Sequence, residues 1–168
     1  GASLPRPLRP LSPMGTTMAI ELCSSTPALT LPDTHGTPVH LADLRGKPVM
    51  LVFFRFAFSG ICTGELCELR DNIEDFEHAG VTVLGISCDA TFAQRTWSEQ
   101  QGFTFELLSD FWPHGETARA FGVFDEDHGL ALRGSFLIDA DGLVRWSVVN
   151  PAGQARDFEG YRLALATL

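Results

Sequence analysis

Apolar residues along the chain fall into short continuous runs and into stripes at helical spacing. Residues 49–54 are the longest wholly apolar run, bounded by Gly46-Lys47-Pro48 and Arg55. Such a run predicts a central strand buried on both faces. Residues 81–87 predict a second buried strand and residues 105–108 a short third one. Between the first two, Cys62, Leu66, Leu69, Ile73 and Phe76 recur every three or four positions, which predicts one helix closed by Gly80. Further helices are predicted over 92–101, ended by Gly102, and over 116–121, ended by Gly122. Residues 135–138 and 143–149 flank Asp139-Ala140-Asp141-Gly142, a turn signal for an antiparallel hairpin. Residues 27–32 and 38–41 read as short edge strands around a turn at Asp33, His35 and Gly36, and Phe158, Tyr161, Leu165 and Leu168 set out a last amphipathic helix.

This order is strand-helix-strand-helix-strand, then a helix, a hairpin and a final helix. It predicts an α/β fold with a mixed central sheet flanked by helices, for which a thioredoxin-like fold is the most economical fit. The pattern begins near Met18 and holds no internal repeat, so residues 18–168 read as one domain. Residues 1–17 carry four of the ten prolines and no apolar period, and read as a disordered arm without the apolar core of a secretory signal.

Composition narrows the function classes. At 45% hydrophobic and 20% charged, the 168 residues are ordinary globular material. No apolar run approaches the ~18 residues of a membrane-spanning helix. A net charge of −9 argues against nucleic acid and against anionic membranes as partners. Four cysteines are too few for a secreted disulfide scaffold, which favours a cytoplasmic, reducing home where a thiol can do chemistry. Charge is also uneven: residues 1–55 carry five Lys/Arg and three Asp/Glu, whereas residues 56–168 carry seven and eighteen.

The segment Phe53-Phe54-Arg55-Phe56-Ala57-Phe58-Ser59-Gly60-Ile61-Cys62 carries the chemistry. A buried strand ends, a short loop follows, and Cys62 opens a helix. First-turn N–H groups lack internal partners and the helix dipole is positive there, so both favour a thiolate. Ser59 and the loop amides are candidate donors toward a reacting oxygen. The other use of cysteines, a metal site, lacks the necessary spacing: there is no C-x-x-C and no histidine near Cys62 or Cys67 in sequence. His35, His40, His78, His114 and His128 are scattered and read as solvated, and no nucleotide-binding glycine motif is present, so no cofactor is expected. Glu65, Glu68, Asp71, Glu74, Asp75 and Glu77 read as a solvated outer helix face.

Ser59-Gly60-Ile61-Cys62-Thr63-Gly64-Glu65 resembles the peroxiredoxin motif Pro-x-x-x-Thr/Ser-x-x-Cys, and the likeness extends from about Pro27 to the last helix. Leu108-Ser109-Asp110-Phe111-Trp112-Pro113-His114-Gly115 and Arg133-Gly134-Ser135-Phe136-Leu137-Ile138-Asp139 resemble the alkyl hydroperoxide reductase E type. Cys62-Thr63-Gly64-Glu65-Leu66-Cys67 with Arg70-Asp71 resembles instead the bacterioferritin-comigratory, or peroxiredoxin Q, type, with a second cysteine five positions on. The resemblance implies a thiol peroxidase. Cys62 would attack a peroxide and become a sulfenic acid. Ser59 would hydrogen-bond peroxide and sulfur. Arg133 would face the thiolate, and Glu65 would orient that arginine. Arg55, Ile61 and Trp112 would border the substrate pocket. Arg55 stands where the family has its motif proline, which leaves a second reading open: a repurposed member with other cysteine chemistry, a redox sensor or a binding module.

Cys67 is the candidate resolving cysteine. On a continuous helix it lies ~140° around from Cys62 with ~7.5 Å of rise. The Cα separation of roughly 8–9 Å exceeds the ~7 Å limit for a disulfide, so the first turns must unwind for a bond to form. Electrons would come from thioredoxin if that bond forms, and from a low-molecular-weight thiol or glutaredoxin-like protein if not. A homodimer is a further assembly to test. Cys88 reads as core and Cys23 as a bystander.

Overall fold

The structure is a computed structural model that describes residues 20–150 and 157–168. The arm expected over residues 1–17 lies outside them. Strands and helices follow in the order β1 (Thr30–Pro32), β2 (Pro38–His40), β3 (Val49–Phe53), α1 (Gly60–Asp71), α2 (Ile73–His78), β4 (Thr82–Ser87), α3 (Thr91–Gln101), β5 (Glu106–Ser109), α4 (Glu116–Ala120), β6 (Phe124–Asp125), β7 (Leu130–Ala131), β8 (Arg133–Ile138), β9 (Val144–Asn150) and α5 (Phe158–Leu165). A short 3₁₀ turn, Leu41–Leu44, precedes β3.

Five strands form the central sheet in the order β5-β4-β3-β8-β9. The first three are parallel, while β8 runs antiparallel to β3 and β9 antiparallel to β8. β3 is therefore central and fully buried. Its side chains divide by strand alternation. Val49, Leu51 and Phe53 join Leu84, Ile86, Phe136 and Ile138 in one core, which Ala118 of α4 and Leu31 of β1 cover. Met50 and Val52 join Val83, Leu107 and Leu137 in the other, covered by Leu66 and Leu69 of α1, Phe76 of α2, Trp97 of α3 and Tyr161 of α5. The mixed sheet with helices on both faces is the arrangement that the element order predicts.

Three local expectations need correction, and one element was not expected. The helix expected from Cys62 to Gly80 is two helices, broken at Asn72 with φ −117° and ψ 19°. There the Asn72 amide side chain donates to the Glu68 carbonyl at 2.9 Å, an alternative to helical continuation. The edge strands expected near residues 27–41 pair with each other as a separate two-stranded sheet, which packs on the main sheet through Leu31 and is linked to β5 by the bridge Asp33↔Leu108. The small β6–β7 hairpin has no periodic signal, being two residues per strand. The last helix ends at Leu165.

Candidate active site

β3 delivers the chain to the carboxyl end of the parallel strands, where open α/β sheets place their sites. The loop after it is held in three ways. The Ala57 N–H donates to Asp89 Oδ2 at 2.8 Å, and the Ser87 hydroxyl donates to the same oxygen at 2.7 Å. Phe58 sits at φ +69°, costly for a residue with a Cβ, and its ring lies 6.3 Å from that of Trp97. Ser59 then caps α1, its Oγ accepting the Cys62 N–H at 3.3 Å.

Cys62 thus stands in the first turn of α1, 1% exposed, at a cavity of about 390 Å³ lined by Arg55, Phe56, Ser59, Gly60, Ile61, Cys62 and Arg133. Arg133 comes from the start of β8, two residues before Ser135, the partner of Val52 in β3. The neighbouring strand therefore carries its guanidinium to the loop that leads to Cys62. Arg133 is 2% exposed and Nη1 donates to Glu65 Oε1 at 2.7 Å. Glu65 lies three positions after Cys62, hence on the same side of α1. It is buried, unlike the solvated helix face expected for it. A cation and a carboxylate buried together at this distance hold each other in place, since removing either strands a charge in the interior.

Arg55 lines the cavity and donates from Nη2 to Asp125 Oδ2 of β6 at 3.4 Å. Asp125 also accepts from His128 Nδ1 at 2.8 Å and from the Asp127 and His128 amides. Burial pushes the Asp125 carboxyl up, but the His128 side chain and these amides outweigh it and hold the group below its ordinary value. Ile61 is at the cavity, partly exposed. Trp112 is not: it follows the edge strand β5, two strands from β3, and is 81% exposed outside the lining.

All four cysteines are free thiols. Cys67 is half-buried on α1, and its thiol donates to Gln101 Oε1 at the end of α3, 3.3 Å away. Both Cys62 and Cys67 belong to the unbroken α1 helix. Cys88 directly follows β4 and is 7% exposed. Burial first, then the Asp110 carboxylate, raises its thiol from 9.0 to about 12. Cys23 is exposed, and all five histidines are exposed as the sequence suggests. Sequence reasoning missed Asp89 and Asp125. For Asp89 a signal existed, a polar Ser87-Cys88-Asp89 directly beyond a buried strand.

Residues 24–147 match the AhpC/TSA family. The chain belongs to the AhpC/TSA family. This peroxiredoxin is 44% identical over 150 residues to alkyl hydroperoxide reductase E of Mycobacterium tuberculosis, across 89% of this chain and 98% of that one. It is 38% identical over 124 residues to peroxiredoxin Bcp of Escherichia coli, across 70% of this chain and 78% of that one. The crystal structure of peroxidoxin BcpB from Mycobacterium tuberculosis superposes with a TM-score of 0.77 at 32% identity, covering 88% and 96% of the two chains. Family, thioredoxin-like α/β fold and mixed sheet are those the motif implies, and the protein is a thiol-dependent peroxidase, an oxidoreductase. Among the described residues no helix is long and apolar enough to cross a membrane.

Proposed function

We propose that Cys62 is the residue that reduces the peroxide. The observation that carries this reading is its place in the first turn of α1, at a cavity it shares with an Arg133 that Glu65 holds at 2.7 Å. The Cys62 thiolate attacks one peroxide oxygen. The O–O bond breaks, its electron pair leaves with the other oxygen, and a proton completes the alcohol or water. Sulfur is oxidised to the sulfenic acid and the peroxide is reduced. Arg133 stabilises the charge that develops on the departing oxygen, and Ser59 hydrogen-bonds the reacting oxygens. Glu65 acts through Arg133 as a positioning residue.

Cys67 then attacks the sulfenic acid, releasing water and leaving a Cys62–Cys67 disulfide. The reaction is slow, because Cys67 faces α3 through Gln101 and α1 must first unwind. Thioredoxin reduces the disulfide. A low-molecular-weight thiol or glutaredoxin-like protein reduces the sulfenic acid where no disulfide forms. The setting is cytoplasmic, with a homodimer as the assembly to test.

Intact mass after one and then many equivalents of hydrogen peroxide tests the sequence of steps. Gain of one oxygen, followed over minutes by loss of two hydrogens from the reduced mass, is expected. Excess peroxide should add second and third oxygens at Cys62. Loss of two hydrogens that persists in Cys67→Ser would remove Cys67 from the mechanism.

A further inference from the structure

The cavity at Cys62 contains two guanidinium groups in different electrical states. Arg133 is committed, being buried and bound to Glu65 at 2.7 Å. Arg55 is not. Its side chain is 22% exposed, and its one polar partner among the described residues is Asp125, reached by a single hydrogen bond at 3.4 Å. That distance is long beside the ~2.7–2.9 Å of a charge-assisted pair. Asp125 leaves little for Arg55, because His128 and the Asp127 amide hold it at 2.8 and 3.0 Å. A guanidinium has five N–H donors in a planar fork that matches a carboxylate. Most of the fork of Arg55 is therefore unspent, at the wall of the reaction cavity. The other walls are Phe56 and Ile61, suited to carbon, and the lining holds no carboxylate.

We infer that Arg55 determines specificity by binding the carboxylate of a hydroperoxide whose O–O bond lies against Cys62. The preferred substrate class is a small organic hydroperoxide bearing a carboxylate a few carbons from the peroxide. The inference rests on the reading of Cys62 given above. The carboxylate displaces the weak Asp125 contact and leaves Asp125 to His128. Arg133 stays free of this ligand and serves the departing oxygen. The proline that Arg55 replaces in the family motif has neither a charge nor a donor to offer. The net charge of −9 repels any anionic substrate at long range, so a preference for the acid must arise locally.

Single-turnover oxidation of the reduced full chain by 4-hydroperoxy-4-methylpentanoic acid and by its methyl ester tests this, with intact mass locating the added oxygen. The wild type should be oxidised roughly fivefold or more faster by the acid than by the ester, the scale of one partly exposed charge-assisted contact. Arg55→Gln should bring the acid-to-ester ratio to one or below, because the net charge then acts alone. Arg55→Lys should keep part of it, and Asp125→Asn should raise it by removing the competing carboxylate. A wild-type ratio of one, or a ratio unchanged in Arg55→Gln, overturns the inference and leaves the Cys62 reading standing. Failure of acid and ester where hydrogen peroxide still oxidises Cys62 likewise overturns the inference alone, and failure of all three overturns the Cys62 reading itself.

Discussion

Cys62 and Cys88 leave neighbouring parallel strands at the same end of the sheet, and both are almost completely buried. Burial alone would make both inert. What separates them is the charge set against each. Cys62 opens a helix and faces a cavity that two arginines line. Cys88 meets Asp110 and Asp89, and its thiol is pushed to about 12 by burial and then by Asp110. The same residue type, one strand apart, stands at a cavity beside two arginines in one case and is kept protonated beside carboxylates in the other. Reactivity of a buried cysteine follows from the sign of its neighbours and from access.

The hardest test of this contrast is exchange of each sulfur for oxygen. Cys62→Ser should abolish peroxide turnover, whereas Cys88→Ser should keep most of it in the same coupled assay. Full activity in the first variant would reverse the assignment.

A smaller effect is expected from the charge partner. Arg133→Lys keeps the cation but loses the fork that meets Glu65, so oxidation of Cys62 by hydrogen peroxide should slow by roughly 10–100-fold. Glu65→Gln should slow it less and still permit folding. Stopped-flow traces of both variants, with melting curves as control, separate misplacement from unfolding. Equal rates in wild type and Arg133→Lys would place Arg133 outside the reaction.

The smallest effect concerns Cys88 and alkali. The fold holds its thiol protonated, while an unfolded chain ionises it near its ordinary value of 9.0. Below pH 9 this contribution to stability is complete. Between about 9 and about 12 the unfolded state loses the proton first, so stability falls as pH rises. Urea midpoints of wild type and Cys88→Ser between pH 8 and 11 should therefore diverge, the wild type falling more steeply. Parallel curves would mean that Cys88 gains no protection from burial.

Much of this contrast is legible in the sequence. The apolar run ending at Phe53 and the helical stripe beginning at Cys62 mark a strand-to-helix junction, and the turn at Asp139–Gly142 marks the hairpin that brings Arg133 back beside it. These are short-range signals with a period. What periodicity does not carry is pairing across long separations. Arg55 meets Asp125 seventy positions away. By spacing alone Glu65 is one more acid on an acidic helix; the family resemblance, not periodicity, sets it beside Arg133. Trp112 is misjudged because distance across a sheet depends on strand order, which a motif in β5 does not encode. The break at Asn72 falls inside an intact apolar period, decided by a polar side chain competing for the backbone.

That break sets how far a disturbance in α1 can spread. Helical hydrogen bonding propagates residue by residue, so an uninterrupted helix to residue 78 would carry fraying at Ser59 toward Phe76 and its ring contacts with Phe158 and Tyr161. The backbone leaves helical geometry at Asn72, so fraying that starts at Ser59 meets a natural stopping point before α2. Under the resolving role proposed for Cys67, the segment with both cysteines would melt and reform while Phe76 keeps α2 moored to Phe158 and Tyr161 of α5, much as a fuse confines a surge to one branch of a circuit.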